Sequence, residues 1–557
     1  MGKCGWVLAA LSGLLFTATA EAVPRAIYYD IRPERVAGRF TGLRIRLILP
    51  VKPGSVHTLD VPEALLPRVA PSGFAIEGGQ WQGSDKPKDD KLSFRATAAQ
   101  VTVTYRLLSD GASSSKADDQ HMAIHASWFS MRGDESLVTP EGDDRTATAV
   151  DVTPLDGWTV TSSLSGPVPL SQAGDSVFLG GSGYRVMTRN VDGAAFRLAY
   201  PQALSDRAEA LLDAASTIMT TERRFWGTPP KPVYIGLVEL KDDADFSGRG
   251  LQGGFSLYLG NSVERTSWLR LIAHENLHNW ISRSIGGFPA SDGNLEAWLN
   301  EGFTEAYTAR LLLESGLWTP QDYIDDWNIA LTRYGTSPVK TAPNSRILAD
   351  RQRDYDVNKL PYDRGRLLTV VWDKALLAHT PHGRIGLDAV LRAQMIEAER
   401  NARSGRVTSA DRLFPVVAQR LTGLDLSADL ARFVDNGDAL VLGPDAFGPC
   451  ISVGDVTQAV FDRGFDIHAT FKAHGRLTGL EAGGPAERAG LREGDKLRID
   501  EVPTNDSRVT LSYRVDDGDG KSHVVSYRPE GAGTVTFQQL GLKPAAQAAC
   551  LLLPHQP

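Results

Sequence analysis

The stretch LIAHENLHNW, Leu271 to Trp280, places His274, Glu275 and His278 in the order His, Glu, two residues, His. On a helix, residues four apart lie about 40° apart around the axis and roughly 6 Å along it, so both imidazoles can chelate one cation. Glu275 shares that face and can reach a water on the metal. The alternative is an amphipathic helix whose histidines are satisfied by hydrogen bonds in the core.

The apolar spacing around these residues predicts a helix that continues to Ile285 and stops at Gly286 and Gly287. The stretch GGFPASDG, Gly286 to Gly293, can turn the chain back antiparallel into a second predicted helix, Glu296 to Gly316, which carries Glu301. Two histidines and one carboxylate leave the fourth position on zinc open, as in a catalytic site.

The rest of the chain predicts a multidomain α+β protein, because 557 residues exceed what one core can hold. Residues 23–200 alternate apolar with polar residues, for example in QVTVTYRLL, Gln100 to Leu108, and predict a β-sandwich-like domain. Residues 201–445 begin with a helical pattern and two strands, Pro232 to Leu240 and Gly254 to Gly260, before helices dominate. This pattern predicts a mixed and helical catalytic domain.

A third unit is predicted at 450–550. Gly475 to Pro503 indicates a strand, a Gly-Pro turn, a short helix ended by Gly490 and another strand. The stretch GPAERAGLREGD within it resembles the PDZ domains of bacterial proteases. A peptide tail is therefore one partner that this PDZ-like domain could bind.

The first residues predict a signal peptide over 1–22, with Lys3, an apolar run from Trp6 to Phe16, and cleavage near Ala20 or Ala22. An uncleaved anchor is the alternative. We expect an exported protein, periplasmic or secreted, with no later apolar segment long enough to span a membrane. The net charge of -8 gives no electrostatic case for nucleic-acid binding.

Signal cleavage would leave two cysteines, Cys450 and Cys550, at the two edges of the PDZ-like unit. An even count in an oxidising compartment favours a disulfide over a metal site or a catalytic thiol. We expect this disulfide to join the two ends of that domain.

The two helices together resemble a known family. HENLHNW followed by WLNEGFTEAY is similar to the gluzincin zinc metallopeptidases, whose catalytic domain is thermolysin-like. The 22 residues between His278 and Glu301, with the β-rich and PDZ-like regions on either side, resemble the glycyl aminopeptidase family, metallopeptidase family sixty-one. The resemblance implies one Zn²⁺ per chain on His274, His278 and Glu301, and Glu275 as general base. It implies peptide or protein substrates.

Two further roles are predicted for residues near this motif. Glu305 lies one helical turn after Glu301, where it can hydrogen-bond a ligand histidine; an ordinary solvated carboxylate is the alternative. The segment Asn358 to Trp372 resembles the one that supplies a catalytic tyrosine in related gluzincins, at the start of a helix. That tyrosine is Tyr362, which can donate to an oxyanion; Tyr355 is a weaker candidate, and a packing tyrosine is the alternative.

The predicted substrate-binding stretch departs from the family. Glycyl aminopeptidases carry a Gly-rich strand, roughly Gly-Leu-Glu-His, whose glutamate binds the substrate amine. Here Gln252, Gly253 and Gly254 occupy the corresponding place, with Gln252 for the Glu and Gly253 for the His. A neutral amide can accept a hydrogen bond from an ammonium but cannot neutralise it. A structural Gly-rich turn with no substrate role is the alternative.

The sequence therefore predicts zinc-dependent hydrolysis of peptide bonds, aminopeptidase-like, on small N-terminal residues such as Gly and Ala. The strand after Gly254 is expected to be an edge strand that aligns an extended peptide. One alternative is an exported zinc endopeptidase with the same site, favoured by Gln252. Another is a PDZ-containing binding protein whose metal site is vestigial.

Overall fold

The computed structural model describes residues 26–112, 122–142, 145–240, 246–251, 253–260, 262–288, 295–351, 353–498, 505–518 and 521–543. The predicted signal peptide at 1–22, Gln252 and Cys550 lie outside these residues. Among the described helices, none combines the length and the apolar composition needed to cross a membrane.

The described residues of the N-terminal region form three β-sheets, two short α-helices and a 3-10 helix, Glu63–Arg68, around one apolar core. The strand orders are β13-β11-β1-β2-β7-β4, β10-β3-β6-β5 and β12-β14-β9-β8. The elements are β1 (Ile27–Val36), β2 (Arg39–Pro50), β3 (Val56–Asp60), β4 (Ala75–Glu77), β5 (Gly79–Trp81), β6 (Lys91–Ala96), β7 (Gln100–Leu108), β8 (Ala123–Ile124), β9 (Trp128–Arg132), β10 (Thr139–Pro140), β11 (Ala147–Val152), β12 (Thr159–Ser162), β13 (Val168–Pro169), β14 (Val177–Gly181), α1 (Gly133–Ser136) and α2 (Leu170–Gly174). The prediction of a β-rich region is confirmed, and β7 coincides with the predicted strand.

A five-stranded sheet follows, in the order β15-β16-β17-β19-β18. Its strands are β15 (Tyr184–Val191), β16 (Ala194–Pro201), β17 (Val233–Glu239), β18 (Phe246–Leu251) and β19 (Gly254–Leu259). Because β16 pairs with β17, the sheet crosses the predicted boundary at residue 200. Strand β19 pairs with β17 on one side and β18 on the other. The prediction that β19 is an edge strand is therefore wrong, and β18 forms the edge.

Helices form most of the described chain from Arg265 to Asp435, and one further α-helix lies between β16 and β17. They are α3 (Ser205–Trp226), α4 (Arg265–Leu277), α5 (Ala297–Glu314), α6 (Pro320–Thr336), α7 (Asn344–Asp350), α8 (Tyr355–His379), α9 (Leu387–Arg403), α10 (Ala410–Thr422) and α11 (Ser427–Asp429). Helix α8 begins seven residues before Tyr362, so the prediction that Tyr362 lies at a helix start is wrong. Asp354 sets the start, because its side chain accepts from the backbone N–H groups of Asp356 and Val357.

Helix α4 is shorter than predicted. It ends at Leu277, and His278 is its C-terminal cap with φ -60° and ψ -15°. Hydrogen-bonded turns, not a helix, lead from there toward Ile285. Polar side chains explain this end: Asn279 Nδ2 donates to the carbonyl of Asn276, and Ser284 Oγ donates to that of Asn279. Side chains of this kind offer the backbone alternatives to continued helix.

The C-terminal region has two small sheets and two short helices. They are β20 (Ile451–Phe461), β21 (Lys496–Arg498), β22 (Leu511–Gly518), β23 (Lys521–Tyr527), β24 (Glu530–Leu542), α12 (Ile467–Lys472) and α13 (Pro485–Ala489). Helix α13 ends at Gly490 with φ +109°, and β21 follows, as predicted. The strand predicted just after Gly475 is wrong, since it forms a single β-bridge, Arg476 to Lys496.

The β20–β24 ribbon packs against helix α6 of the preceding region. Asn328 of α6 both donates to and accepts from the backbone of Leu540, at 3.0 and 2.7 Å. Leu540 and Ile451 belong to the same apolar core as the helices α5 and α8. The predicted disulfide stays a prediction: Cys450 is buried, and its predicted partner is outside the described residues.

Candidate metal centre

Helices α4 and α5 run antiparallel past each other, as their side-chain pairs show. Arg270 pairs with Glu305, His274 with both Glu305 and Glu301, and His278 with Glu301. Successive residues along α4 therefore pair with residues of decreasing number along α5. The reversal predicted from the intervening Gly-rich segment is confirmed, although part of that segment lies outside the described residues.

Three donor atoms converge at this crossing. His274 Nε2 lies 3.1 Å from His278 Nε2 and 3.4 Å from Glu301 Oε2, and His278 Nε2 lies 3.8 Å from the same oxygen. Ligand atoms on a tetrahedral zinc ion are separated by about 3.3 to 3.6 Å, given bonds of about 2.0 to 2.2 Å. Among the described residues, these three form the one group of His, Cys, Asp and Glu side chains arranged to hold a metal. The donor set and its spacing fit zinc.

Hydrogen bonds orient the imidazole of His278. The Ser282 hydroxyl donates to Asn300 Oδ1 and lies 2.6 Å from His278 Nδ1. Since its one proton goes to Asn300, Ser282 accepts from the Nδ1–H of His278. The Nε2 lone pair of His278 is then directed at the three-donor cluster. Partners of this kind fix the tautomer of metal-binding histidines.

Glu305 takes the equivalent position beside His274. Its Oε1 lies 3.1 Å from His274 Nδ1, and its Oε2 forms an ion pair with Arg270. The Nδ1 contact is within ion-pair range, although the ring N–H does not point along it as a hydrogen bond would. Arg270 continues the chain of charges to Asp326 at 2.8 Å. The structure thus brings Glu305 beside His274 without the predicted hydrogen bond, and Arg270 pairs with the other oxygen of its carboxylate.

Burial and charge set the protonation of the cluster. Burial lowers the pKa of His278 to about 4, so this imidazole is neutral near pH 7. For Glu301, burial alone would raise the pKa, but the hydrogen bond from His274 and the charges of both histidines and Arg351 lower it to about 2. A neutral imidazole and an ionised carboxylate are the forms that bind a metal.

Glu275 lies between the cluster and the edge strand β18. It is buried, at 8% exposure, and burial raises its pKa to about 7. A Cβ added to Gly248 would lie 2.6 Å from Glu275 Cγ, and one added to Gly250 would lie 3.5 Å from Glu275 Oε2. Gly250 also donates a backbone hydrogen bond to this carboxylate. A Cβ at position 248 would overlap the Glu275 side chain, so the absence of a side chain at Gly248 lets β18 lie this close, whereas a Cβ at position 250 would make only ordinary van der Waals contact.

Tyr362 and Tyr355 have different surroundings. The charges of Glu301 and Glu275 act on Tyr362, and with burial they raise its pKa above the usual range, so the phenol stays protonated. Burial also raises the pKa of Tyr355, but the charges acting on it are those of Arg333, Asp363, Asp356 and Arg463. Tyr362, rather than Tyr355, is therefore the tyrosine on which the charges of Glu301 and Glu275 act.

Other predicted site residues lie elsewhere. Gly253 is in the β18–β19 turn with φ +80°, and a Cβ added to Gly254 would meet Tyr234 of β17. Neither glycine is brought to Glu275. Arg364, the basic residue matched to the gluzincin pattern, is fully buried and donates to the carbonyls of Lys340 and Ala342.

Sequence reasoning missed several residues of this site. Gly248 and Gly250 could have been found, because their alternation in a strand puts both on one face. The sequence alone could not identify Ser282 or Arg270, since each acts through a contact that forms only when the helices pack. The residues missed are Gly248, Gly250, Arg270 and Ser282.

A match to a known protein family covers the segment that contains the three donor residues. Residues 267–349 match the family model described as M61 glycyl aminopeptidase, a segment that contains both histidines, Glu275 and Glu301. The match covers less than half of the chain and ends before Tyr362. A search of curated proteins finds no match.

Two solved structures are similar. An aminopeptidase N family protein from Idiomarina loihiensis superimposes with a TM-score of 0.66 at 15% identity, over 95% of this chain and 100% of that one. An M1 zinc metallopeptidase from Deinococcus radiodurans gives a TM-score of 0.46 at 15% identity, over 75% of this chain and 95% of that one. At this identity the first likeness establishes a shared fold.

Proposed function

We propose that this protein is a zinc-dependent peptidase, aminopeptidase-like, that removes small N-terminal residues such as Gly and Ala. The single observation that carries the proposal is the cluster of His274, His278 and Glu301 donor atoms, 3.1 to 3.8 Å apart, with the buried carboxyl of Glu275 beside it. The M61 match over residues 267–349 and the fold shared with an aminopeptidase N family protein support it.

Zinc would be held by His274 Nε2, His278 Nε2 and Glu301, and when bound it supplies Lewis acidity toward water and toward the scissile carbonyl. Glu275 accepts the proton of the attacking water and later delivers it to the leaving amine. A pKa raised to about 7 by burial suits both halves of this task, because the group exchanges protons readily near neutral pH. Tyr362 stays protonated, and its phenolic O–H donates a hydrogen bond to the oxyanion.

Strand β18 is the element best placed to align the substrate. It is the edge of the five-stranded sheet, and Gly248 and Gly250 bring its backbone against Glu275. An extended peptide can pair with such an edge through main-chain hydrogen bonds. Its scissile bond would then lie near the base without obstruction from side chains at positions 248 and 250.

The sequence at Gln252 favours a second candidate, an endopeptidase with the same site. Relatives carry a glutamate here that binds the substrate amine, and a carboxylate contact to ammonium is about twice as strong as a neutral hydrogen bond. Gln252 should therefore weaken discrimination between free and blocked N-termini by about 1 to 3 kcal/mol. The aminopeptidase should be slow, with some cleavage of blocked or longer peptides.

A peptide library with free and acetylated N-termini tests both candidates. The aminopeptidase requires a higher kcat/KM for free termini that begin with Gly or Ala, and Gln252→Glu should increase that preference. If the wild type cleaves only free termini and Gln252→Glu leaves that preference unchanged, then residue 252 does not contact the amine. If no peptide is cleaved by the zinc-loaded protein, a binding protein with a vestigial site replaces the peptidase.

Three further properties belong to the proposal. The C-terminal unit would be a PDZ-like domain that takes a peptide tail, with Cys450 and Cys550 joined by a disulfide. The chain would be exported after cleavage near Ala20 or Ala22. Peptide mapping without reduction and N-terminal sequencing of the mature protein test the disulfide and the cleavage; two free thiols, or an intact Met1, would contradict them.

A further inference from the structure

Two basic side chains flank the ring of Tyr362. Lys359 lies one helical turn earlier in α8, with its Nζ 4.7 Å from the centroid of the Tyr362 ring and 6.0 Å from that of Tyr355. The Arg351 guanidinium carbon lies 6.0 Å from the Tyr362 ring centroid. Lys359, Arg351 and Tyr362 are all half-buried. Two cations therefore lie beside Tyr362, the tyrosine on which the charges of Glu301 and Glu275 act.

Lys359 differs from the other cations packed around this site. Arg270 pairs with Glu305 and Asp326, Arg333 with Asp363, and Arg366 with Asp326. Among the residues that the structure describes, no carboxylate forms a salt bridge with Lys359. Burial, with Arg333 and Arg270 nearby, lowers the pKa of Lys359 to about 8, so the ammonium is mainly charged at pH 7. A half-buried ammonium without a salt-bridge partner is stabilised when an anion binds beside it.

The position of Lys359 limits which anion this is. The Lys359 Nζ lies 4.7 Å from the ring centroid of Tyr362, and Tyr362 is one turn before Gly365, whose backbone contacts Gly302, the neighbour of Glu301. The ammonium therefore borders the candidate cleft. When a peptide occupies the cleft, a carboxylate of that peptide is held close to this ammonium. Peptides carry carboxylates at the C-terminus and on Asp and Glu side chains. Either source offers the same charge and the same acceptor oxygens.

We propose that Lys359, with Arg351, forms a carboxylate-binding subsite beside Tyr362, which gives preference to short peptides with a carboxylate close to the scissile bond. This inference rests on the proposed peptidase function for the placement of the peptide. The subsite binds a substrate group and takes no part in the bond cleavage itself.

The test measures binding, so it does not depend on turnover. Zinc-loaded Glu275→Gln protein is titrated calorimetrically with Gly-Ala-Ala as the free acid and as the C-terminal amide. A second pair, Gly-Glu amide and Gly-Gln amide, offers the carboxylate on a side chain only. We expect the matching carboxylate peptide to bind about 5- to 30-fold more tightly than its neutral partner, and the pair that shows this identifies the source.

Substitutions then assign the effect. Lys359→Gln, in the Glu275→Gln background, should reduce the ratio to about 2 or less, whereas Lys359→Arg should keep most of it. Lys374→Gln is the matched control, because Lys374 is on the same helix but pairs with Asp445 away from the cluster. It should leave the ratio unchanged. Equal affinity for acid and amide in both pairs, or a ratio that Lys359→Gln preserves, would overturn the proposal.

Salt dependence gives a measurement that needs no substitution at Lys359. Raising the salt from about 0.05 M to about 0.5 M should weaken binding of the carboxylate peptide more than that of its neutral partner. Equal weakening of both would also overturn the subsite. Turnover and zinc content of the wild type test the peptidase function separately. If the wild type cleaves acid and amide peptides alike and shows no binding preference, the subsite proposal is wrong and the peptidase proposal is unaffected.

Discussion

Gly302 of α5 and Gly365 of α8 lie against each other with no side chain between them. A Cβ added to Gly302 would lie 2.7 Å from the carbonyl carbon of Gly365, and one added to Gly365 would lie 2.9 Å from the Cα of Gly302 and overlap the carbonyl oxygen of Trp298. Glu301 is adjacent to the first glycine, and Tyr362 is one turn before the second. This close approach therefore sets how far the predicted oxyanion donor is from the metal cluster.

Gly365→Ala should separate the two helices and destabilise the fold by about 2 to 3 kcal/mol, the upper part of the range for overpacked cores. Gly174→Ala is the control, because a Cβ there meets nothing within 4 Å. Thermal unfolding should show a lower Tm for Gly365→Ala alone. A Tm unchanged in both variants would mean that the helices adjust without cost.

The pKa of Glu275 predicts how the stability of metal-free protein depends on pH. Burial raises this pKa from 4.5 to about 7, so the folded state holds the proton more tightly than the unfolded state does. The contribution is fully present below about pH 4.5 and is lost as the pH rises through about 7. Glu275→Gln, which cannot ionise, should therefore be more stable than the wild type at about pH 8, by about 1 to 3 kcal/mol.

Chemical unfolding of chelator-treated wild type and Glu275→Gln checks this. The difference in the free energy of unfolding should appear at about pH 8 and nearly vanish at about pH 4.5. A difference of equal size at both pH values would show that Glu275 ionisation is not its cause.

Much of the candidate site is predictable from the sequence because its spacing encodes helical geometry. The two predicted histidine ligands and the predicted base share one short motif, and the predicted third ligand, Glu301, follows at a recognisable distance. The end of α4 at Leu277 was not predictable in the same way, since Asn279 and Ser284 act through backbone contacts. The edge position of β18 depends on which strands pair, and periodicity within one strand does not contain that information.

Ser282 is expected to support zinc binding without touching the metal. It accepts from His278 Nδ1 and donates to Asn300, and such partners typically change metal affinity by about 10- to 100-fold. Ser282→Ala should weaken zinc binding by about 10-fold in a chelator competition. Ser284→Ala is the matched control in the same turns, because Ser284 donates to the Asn279 carbonyl instead. Equal affinities for both variants and the wild type would show that Ser282 does not orient His278.

Tyr362→Phe removes only the hydroxyl and should lower kcat by about 10²- to 10³-fold if that hydroxyl donates to the oxyanion. KM should change little, because the interaction develops in the transition state. Tyr355→Phe should have a small effect, since the charges around Tyr355 are not those of the metal cluster. An unchanged kcat in Tyr362→Phe, with a loss in Tyr355→Phe, would transfer the role to Tyr355.

The metal content of the purified protein tests the central claim most directly. Mass spectrometric metal analysis should find about one zinc per chain, and His278→Ala should lose it. Glu275→Gln should keep the zinc and lose nearly all peptide hydrolysis, because it removes the base and leaves the three ligands in place. Zinc-free protein that hydrolyses peptides at the full rate would contradict the account.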